Sequence, residues 1–189
     1  MEDAAPPTLP DLLREGLDIV FVGINPSLYS VAQGHYFARK TNRFWPAFSR
    51  SQLSATARRA LGVERLEPLH DRALLDHGFG FTDVAKRASA RATELSPQEL
   101  DAGAAGLAAK LERFQPRIAC FHGIMGYRPF HRRLFPGVDD PVLGLQPTPL
   151  GKTRLFVVPN PSPANAHFTP ADQTEWYDAL AAALTERGG

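Results

Sequence analysis

The sequence predicts an α/β fold, a three-layer α/β/α sandwich around a mostly parallel central sheet of about four or five strands. Four short apolar runs rich in β-branched or aromatic residues support this prediction, because such runs followed by turn residues are typical of buried parallel strands. Helical patterns lie between the runs, and strands that alternate with helices form such sandwiches. The four runs are Ile19–Val22, Gly78–Thr82, Ile118–Phe121 and Leu155–Val158.

Two of the predicted helices are marked by the residues that begin and end them. Ser96-Pro97-Gln98-Glu99 is a capping box with proline at the first helical position. Apolar spacing continues this helix to about Phe114, and Pro116 then ends it before the next strand. A last helix begins after Thr169, with apolar residues at helical spacing beyond it. Residues 54–78 show no clear pattern.

Length and composition predict a single domain over residues 1–189, in which residues 1–8 are frayed. Hydrophobic residues make up 43% and charged residues 22%, and the formal net charge is +1. These are ordinary values for a globular protein, and the charge does not by itself indicate a nucleic-acid ligand. Two runs, 86–91 and 128–133, carry several cations and no acid. They are either solvated surface or parts of a basic face.

The cysteine and histidine content excludes several classes of site. Cys120 is the only cysteine, which excludes an internal disulfide and a cysteine-held iron–sulfur cluster. We expect it in the core, and the lack of disulfides favours a reducing, cytoplasmic location. The histidines are scattered without metal-ligand spacing, so no metal and no cofactor are expected. No apolar run approaches ~20 residues, so we expect no membrane span.

The residues that follow each predicted strand are the candidate functional residues, since ligands of such folds bind outside the carboxyl ends of the strands. Gly23-Ile24-Asn25-Pro26-Ser27 follows the first run and makes a tight turn that allows close approach of a ligand. Its spacing fits neither a P-loop nor a dinucleotide-binding fingerprint. Asp83 follows the second run and is either an active-site carboxylate or the N-cap of the next helix.

Two further segments have a composition suited to a nucleic-acid site. Residues 34–45 mix aromatic rings for stacking with cations for phosphate. Within them we expect Phe37 to be functional, whereas Phe44 and Trp45 start a helix and pack in the core. Residues 159–168 contain three prolines and two asparagines. They form either a rigid loop that presents a fixed geometry to DNA or a stiff crossover.

Four motifs, taken together and in order, resemble those of the mismatch-specific uracil-DNA and thymine-DNA glycosylases, and the resemblance extends roughly from Val20 to Tyr177. It implies a uracil-DNA glycosylase-like fold and a monomeric base-excision repair enzyme without an obligate protein partner. Such an enzyme flips uracil, notably in G·U mismatches, out of double-stranded DNA and hydrolyses its N-glycosidic bond to leave an abasic site. The motifs are Gly23-Ile24-Asn25-Pro26-Ser27, Gly34 with Phe37-Ala38, Asn42-Arg43-Phe44-Trp45 and Pro159-Asn160-Pro161-Ser162.

The resemblance implies roles for individual residues around the base. Asn25 would position the attacking water, which an amide can orient but cannot deprotonate. Phe37 would stack on the flipped base, and backbone groups near Ile24 and Phe37 would read the uracil edge. Ser30 would sense a substituent at carbon 5 of the base, and Asn160 would line the pocket from the second loop.

The residues expected to contact DNA lie in two segments. Lys86, Arg87 and Arg91 would contact phosphate, and the loop after Asn160 would contact DNA through Ser162, Pro163, Ala164 and Asn165. Family members usually carry a wedge residue in this loop, but Ala164 is small. Ala166 stands where a bacterial relative has an arginine that contacts the opposite guanine. We therefore hypothesise weak discrimination between guanine and adenine opposite uracil.

Asp83 departs from the family pattern, because relatives carry lysine or asparagine there. A carboxylate can activate the water and stabilise a developing cation, so Asp83 joins Asn25 as a predicted catalytic residue. No catalytic amine is evident, so we expect a monofunctional glycosylase without lyase activity. Lys40 and Lys86 are the lysines that could contradict this expectation. The alternatives are a non-catalytic nucleic-acid-binding module on the same fold and a flavodoxin-like nucleotide or flavin enzyme. A nucleotide or flavin enzyme of this kind needs a phosphate-binding loop, which the sequence lacks.

Overall fold

The computed structural model describes residues 6–186, and its centre is one five-stranded sheet. The strands are β1 (Ile19–Gly23), β2 (Phe79–Asp83), β3 (Ile118–His122), β4 (Gly144–Leu145) and β5 (Arg154–Val158). They lie in the order β2-β1-β3-β5-β4, and only β4 runs antiparallel to its neighbour. The predicted α/β class and the mostly parallel sheet are therefore confirmed. Residues 1–5, which belong to the segment expected to be frayed, lie outside the described residues.

All four predicted strands are present, and no strand begins or ends more than one residue away from its predicted position. The edge strand β4 was not predicted. It has only two residues and pairs with Phe156 and Val157 of β5. A segment this short produces no periodic pattern that sequence analysis can detect.

The helices are α1 (Leu28–Gln33), α2 (Phe44–Arg50), α3 (Ala55–Leu61), α4 (Pro97–Phe114), α5 (Ile124–Leu134) and α6 (Pro170–Thr185). The predicted capping box of α4 is confirmed, because Ser96 Oγ accepts from the Glu99 N–H at 3.1 Å and Glu99 accepts from the Ser96 N–H at 2.8 Å. The segment without a clear pattern holds α3 and short 3₁₀ turns at Pro68–His70 and Ala73–His77. Within residues 6–186, no helix combines the length and apolar character needed to cross a membrane.

Alternating strand residues bury their side chains on opposite faces of the sheet. Phe21 and Cys120 face a cluster that includes side chains of α2 and α6. Val20 and Val22 face a second cluster built with α4 and α5. The sheet is therefore covered on both sides, which gives the three layers that were predicted. Cys120 is fully buried, as expected.

The strand order brings the candidate functional segments together. Because β1 lies between β2 and β3, the chain leaves the sheet on either side of β1, and this reversal creates a crevice at the carboxyl ends of the strands. The turn after β1, the loop after β2 and the start of α5 after β3 all border the crevice. The loop that follows β5 lies one strand further along.

Candidate active site

An aromatic platform lies at the carboxyl ends of β1 and β3. The ring of Phe37 stacks on Phe44, with centroids 4.4 Å apart and an interplanar angle of 20°, and lies 5.0 Å from the imidazole of His122. Phe44 and Trp45 begin α2 and are buried, as predicted. Phe37 is only partly buried, so this platform is able to receive a flat ligand.

The backbone of Phe37 is held in an unusual conformation by a buried carboxylate. Phe37 has a φ of 51°, in the left-handed region that non-glycine residues seldom occupy. Asp71, which is 1% exposed, accepts from the Tyr36 N–H at 3.0 Å and from the Arg72 N–H at 2.7 Å. Its Oδ1 also lies 3.0 Å from Nδ1 of His35. Sequence analysis missed Asp71, since it lies in the segment without a recognisable pattern.

Ser30 fastens the other side of the same loop. Its buried hydroxyl accepts from the Ala38 N–H at 3.2 Å and from Ser27 Oγ at 3.0 Å. The Ser30 hydroxyl thus helps to hold the loop that carries Phe37. Its contact with a substituent on the base stays a prediction.

Asn25 has a fixed amide orientation. Its Nδ2 donates to the carbonyl of Arg87 at 2.9 Å and to Ser89 Oγ at 2.7 Å. A carbonyl only accepts, so the nitrogen must face Arg87 and the oxygen must face away. No group in residues 6–186 donates to Asn25 Oδ1, which leaves that oxygen able to accept a hydrogen bond from a ligand or a water.

Asp83 lies beside Phe37 because Gly23 has no side chain. Gly23 and Asp83 are register partners at the ends of β1 and β2. A Cβ at Gly23 would lie 2.5 Å from Asp83 Oδ1 and 3.8 Å from Cζ of Phe37. The carboxyl group and the aromatic ring thus converge on the same space, on the face of the sheet that also holds Phe44.

Burial dominates the electrostatics of Asp83. The residue is 3% exposed, and its Oδ2 has no hydrogen-bond partner within residues 6–186. Lys86 Nζ lies 3.6 Å from Oδ2, close enough for charge attraction but beyond a good hydrogen bond. Burial raises the pKa of Asp83 to about 7, and Lys86 limits this rise. A carboxyl group with a pKa near neutrality is suited to proton transfer.

The alternative interpretation of Asp83 as a helix N-cap is wrong. After β2, residues 84–91 form a loop, and the next helical element is a 3₁₀ turn at Ala92–Glu94. The helix that follows, α4, is capped by Ser96. Asp83 therefore caps no helix, and its role as an active-site carboxylate stays a prediction.

His122 lies at the end of β3, and sequence analysis assigned it no role. Its Nδ1 lies 3.1 Å from the Val22 carbonyl and its Nε2 lies 3.0 Å from the Tyr177 hydroxyl. Burial lowers the pKa of His122 to about 4, so the ring is neutral near pH 7. Since Val22 can only accept, Nδ1 carries the hydrogen and Nε2 accepts from Tyr177. Both nitrogens are occupied, so His122 supports the platform and is not a proton carrier.

The loop after β5 is rigid because it is hydrogen-bonded to itself and to α2. Asn160 Oδ1 accepts from the Ser162 N–H at 2.9 Å, and the Asn160 carbonyl accepts from Asn165 Nδ2 at 3.1 Å. Arg43, at the start of α2, donates to the carbonyls of Asn165 and Phe168. Pro163, Ala164 and Ala166 remain exposed, as a surface that contacts DNA requires.

The three cations predicted to contact phosphate have different surroundings. Lys86 points into the protein, where its amine lies 2.9 Å from Asp11. Arg87 forms a two-pronged pair with Glu99, at 2.5 and 3.1 Å. Arg91 has a side chain that is 83% exposed and only a 3.8 Å contact to Glu94. Of the three, Arg91 is the most exposed and has the longest ion pair, so it can turn to a phosphate with the least loss of existing contacts.

The remaining predicted site residue, Ile24, packs tightly against α5. A Cβ at Gly126 would lie 2.6 Å from Cγ1 of Ile24, so the helix approaches this turn only because Gly126 lacks a side chain. The Ile24 carbonyl accepts from the Ala85 N–H at 2.9 Å. Among residues 6–186, no three His, Cys, Asp or Glu side chains converge as a metal site requires.

The fold and this crevice define an α/β protein whose site combines an aromatic platform with a buried carboxyl group. Comparison with known families identifies the chain further, since it belongs to the uracil DNA glycosylase superfamily, whose family model matches residues 10–182. The match covers most of the chain and supports a uracil glycosylase role in general terms.

A solved structure agrees with the fold. The chain is similar to the solution NMR structure of a proposed uracil DNA glycosylase from Methanosarcina acetivorans, with a TM-score of 0.58 and 21% sequence identity. The similarity covers 95% of this chain and 98% of that one. At this level of identity the comparison supports the fold alone.

Replacing Asp71 tests whether this carboxylate holds the loop that carries Phe37. Asp71→Asn retains the size of the side chain but leaves either the buried Tyr36 N–H or the partly buried Arg72 N–H without a good acceptor. We expect a loss of about 1–3 kcal/mol in the free energy of unfolding and faster hydrogen exchange at the Tyr36 amide. Urea denaturation and exchange monitored by NMR measure both. The exposed Asp76→Asn is the matched control, and equal exchange in both variants would contradict this role.

Replacing Asp83 tests its burial as an ionisable group. Its pKa in the folded state, about 7, lies above its ordinary value of 3.8. Between these values the folded protein binds more protons than the unfolded chain, so unfolding free energy falls as the pH rises. Asp83→Asn should therefore be more stable than wild type by about 1–3 kcal/mol at pH 8, with the advantage reduced near pH 4.

Urea midpoints at both pH values measure this difference, and the exposed Asp139→Asn serves as control. An advantage of Asp83→Asn that is the same at both pH values would show that burial does not perturb the ionisation of Asp83.

Proposed function

We propose that the protein removes uracil from double-stranded DNA by hydrolysing the N-glycosidic bond, which leaves an abasic site. The observation that carries this proposal is the convergence of Asp83 and Phe37 on the space above Gly23, next to the turn that holds Asn25. Membership of the uracil DNA glycosylase superfamily supports the same reaction.

The crevice is suited to a base that has been flipped out of the DNA, because a base stacked inside the duplex cannot reach the ends of the strands. Uracil would stack on Phe37, which Phe44 supports from behind. The backbone N–H groups of Ile24 and Phe37 donate to no acceptor in residues 6–186, so they are available to the carbonyl oxygens of uracil. Asn160 Nδ2 is a third donor, since Ser162 occupies the oxygen of that amide.

Asn25 and Asp83 have different roles toward the attacking water: Asn25 orients it and Asp83 deprotonates it. One O–H of the water donates to Asn25 Oδ1, and Asp83 accepts the proton of the other O–H. The water oxygen bonds to the sugar carbon C1′ while the bond from C1′ to the base nitrogen breaks. The bonding electrons leave with uracil as an anion, which the N–H donors stabilise before it takes up a proton.

The same geometry supports hydrolysis without lyase activity. Cleavage of the DNA strand through a covalent intermediate needs an amine that is free to attack the sugar. The amine of Lys86 is held by Asp11 and lies beside Asp83, at 2.9 and 3.6 Å, so it is not free. Lys40 is exposed on the loop that follows Phe37 and is the remaining candidate near the site.

The exposed loop after β5 suggests that the enzyme acts on G·U mismatches and also on uracil opposite adenine. Ala164 and Ala166 are exposed but too small to fill the gap left by a flipped base or to reach the opposite base. The rigid backbone of the loop, held by Asn160, Asn165 and Arg43, would then position the protein on the duplex through shape and not through base contacts.

Excision from labelled duplexes that contain one uracil tests the reaction and the two catalytic residues. We expect Asp83→Asn and Asn25→Ala each to reduce the single-turnover rate by about 100-fold or more, because each variant removes one partner of the water. The exposed Asp139→Asn should retain the wild-type rate. The product should remain an intact strand until it is treated with alkali, and borohydride should trap no covalent adduct.

Binding of the duplex without release of free base by the wild type would contradict this proposal and favour the non-catalytic nucleic-acid-binding module. Strand cleavage without alkali would retain the glycosylase but overturn the monofunctional assignment.

Changing Ala166 tests the discrimination between opposite bases. Wild-type rates on G·U and A·U duplexes should agree within about threefold. Ala166→Arg should raise the preference for G·U by about tenfold, since a guanidinium–guanine contact is worth about 1–3 kcal/mol. Ala166→Lys is the matched control, because lysine adds the charge without the planar fork and should change both rates alike. A strong preference of the wild type for G·U would contradict weak discrimination.

A further inference from the structure

We infer that Lys86, held by Asp11, forms with it a positioning pair that sets the charge and position of the Asp83 carboxylate, so that the N-terminal segment acts on the site through Asp83. The inference deepens the proposed function and rests on it, because it assigns Asp83 the role of base. Neither residue touches the water or the uracil in this scheme. They act through Asp83.

Asp11 holds Lys86 within a compact group of charges beyond the edge of β2. Asp11 accepts from Thr82 Oγ1 at 2.7 Å and pairs with Lys86 at 2.9 Å and with Lys110 of α4 at 2.6 Å. Burial alone would raise the pKa of Asp11, but the hydrogen bonds from Lys110 and Lys86 lower it below its ordinary value. Asp11 is therefore a carboxylate near pH 7.

The N-terminal segment is fixed against the sheet at this point. Leu12 and Phe81 exchange two backbone hydrogen bonds of 2.9 Å each, so the segment pairs with β2 immediately beside Asp11. The Tyr36 hydroxyl donates to the Pro10 carbonyl at 3.0 Å and accepts from Lys86 at 3.2 Å. Tyr36 precedes Phe37, so the same contacts join the N-terminal segment to the aromatic platform.

The distances explain how the pair acts on Asp83. At 3.6 Å the ammonium of Lys86 offsets part of the desolvation of the buried carboxylate without forming a short hydrogen bond to it. Asp83 therefore has a stabilised charge and retains an oxygen that is free to accept a proton. The Lys86 ammonium lies 2.9 Å from Asp11, and this closer contact limits the strength of its attraction to Asp83.

The charged and titratable groups around Asp83 act in opposite directions. Lys86 on its own loop and Lys110 on α4 lower the pKa of Asp83, whereas Asp11 of the N-terminal segment raises it. Tyr36 is protonated, because burial and the nearby carboxylates raise its pKa far above neutrality. Removing Lys86 and removing the charge of Asp11 should thus shift the titration of Asp83 in opposite directions, which general damage to the fold would not do.

The test measures the titration of Asp83 in the full chain by carbon-13 NMR of its carboxyl group, which is assigned from the loss of that signal in Asp83→Asn. Lys86→Met should raise the midpoint by about one pH unit or more, and Asp11→Asn should lower it. Lys86→Arg, which retains the charge, should stay closer to wild type than Lys86→Met. The exposed Lys152→Met is the control and should not move the midpoint.

The pH dependence of single-turnover excision provides the second readout. The rate falls on the acidic side as Asp83 is protonated, so the midpoint of this fall should follow the NMR midpoint in each variant. Unchanged NMR midpoints, or shifts of the same sign in Lys86→Met and Asp11→Asn, would overturn the pair. If Lys86→Met does not fold, Asp11→Asn alone tests the pair, because only a lower midpoint of Asp83 in this variant supports it.

The two proposals fail in different ways. Opposite NMR shifts without abasic product from the wild type would support the electrostatic pair and overturn the glycosylase. Abasic product with a pH midpoint that neither variant moves would retain the glycosylase and overturn the pair.

Discussion

A glycine opposite an aspartate at the ends of two parallel strands is the constraint on which the site depends. The register of β1 and β2 sets Gly23 beside Asp83, and any larger side chain at Gly23 would occupy the space in which the carboxyl group and Phe37 meet. Since neighbouring parallel strands end at the same edge of the sheet, the turn that follows Gly23 brings Asn25 to the same crevice. The pairing of two strands thus brings the carboxyl group and the amide together beside the ring of Phe37, which a separate loop supplies.

The site is locally unfavourable, and the surrounding contacts offset this. Asp83 is buried with an oxygen that has no hydrogen-bond partner in residues 6–186, and Phe37 has a left-handed backbone. Such features persist only where neighbouring interactions determine the conformation. Asp71 secures the loop that carries Phe37, and Arg43 joins α2 to the loop after β5. These contacts stabilise the fold and so offset the cost of burying the Asp83 carboxyl group, which would be better solvated in water.

Sequence analysis predicted the parts of the fold and site that depend on local patterns. The four main strands, the capping box of α4, the buried Phe44 and the turn with Asn25 are all encoded within a few neighbouring residues. It missed Asp71 and the ion pair of Lys86 with Asp11, because the partners of these side chains lie far away in the chain. Lys86 meets Asp11, 75 positions earlier, and a run of cations gives no information on carboxylates that the fold brings to it from another element.

The same limit applies to the basic runs, and it changes how DNA would be held. Of the cations in 86–91, Lys86 and Arg87 are committed to ion pairs. The run 128–133 lies in the second half of α5, which begins at the carboxyl ends of the strands and leads away from the crevice. Arg133 is also paired, with Asp101 at 2.7 Å. Each free cation that meets a phosphate adds to affinity and to its dependence on salt. Only Arg91 of the first run is largely exposed, with a 3.8 Å contact to Glu94, so recognition of DNA by this chain should rest more on the crevice for the base than on the backbone of the duplex.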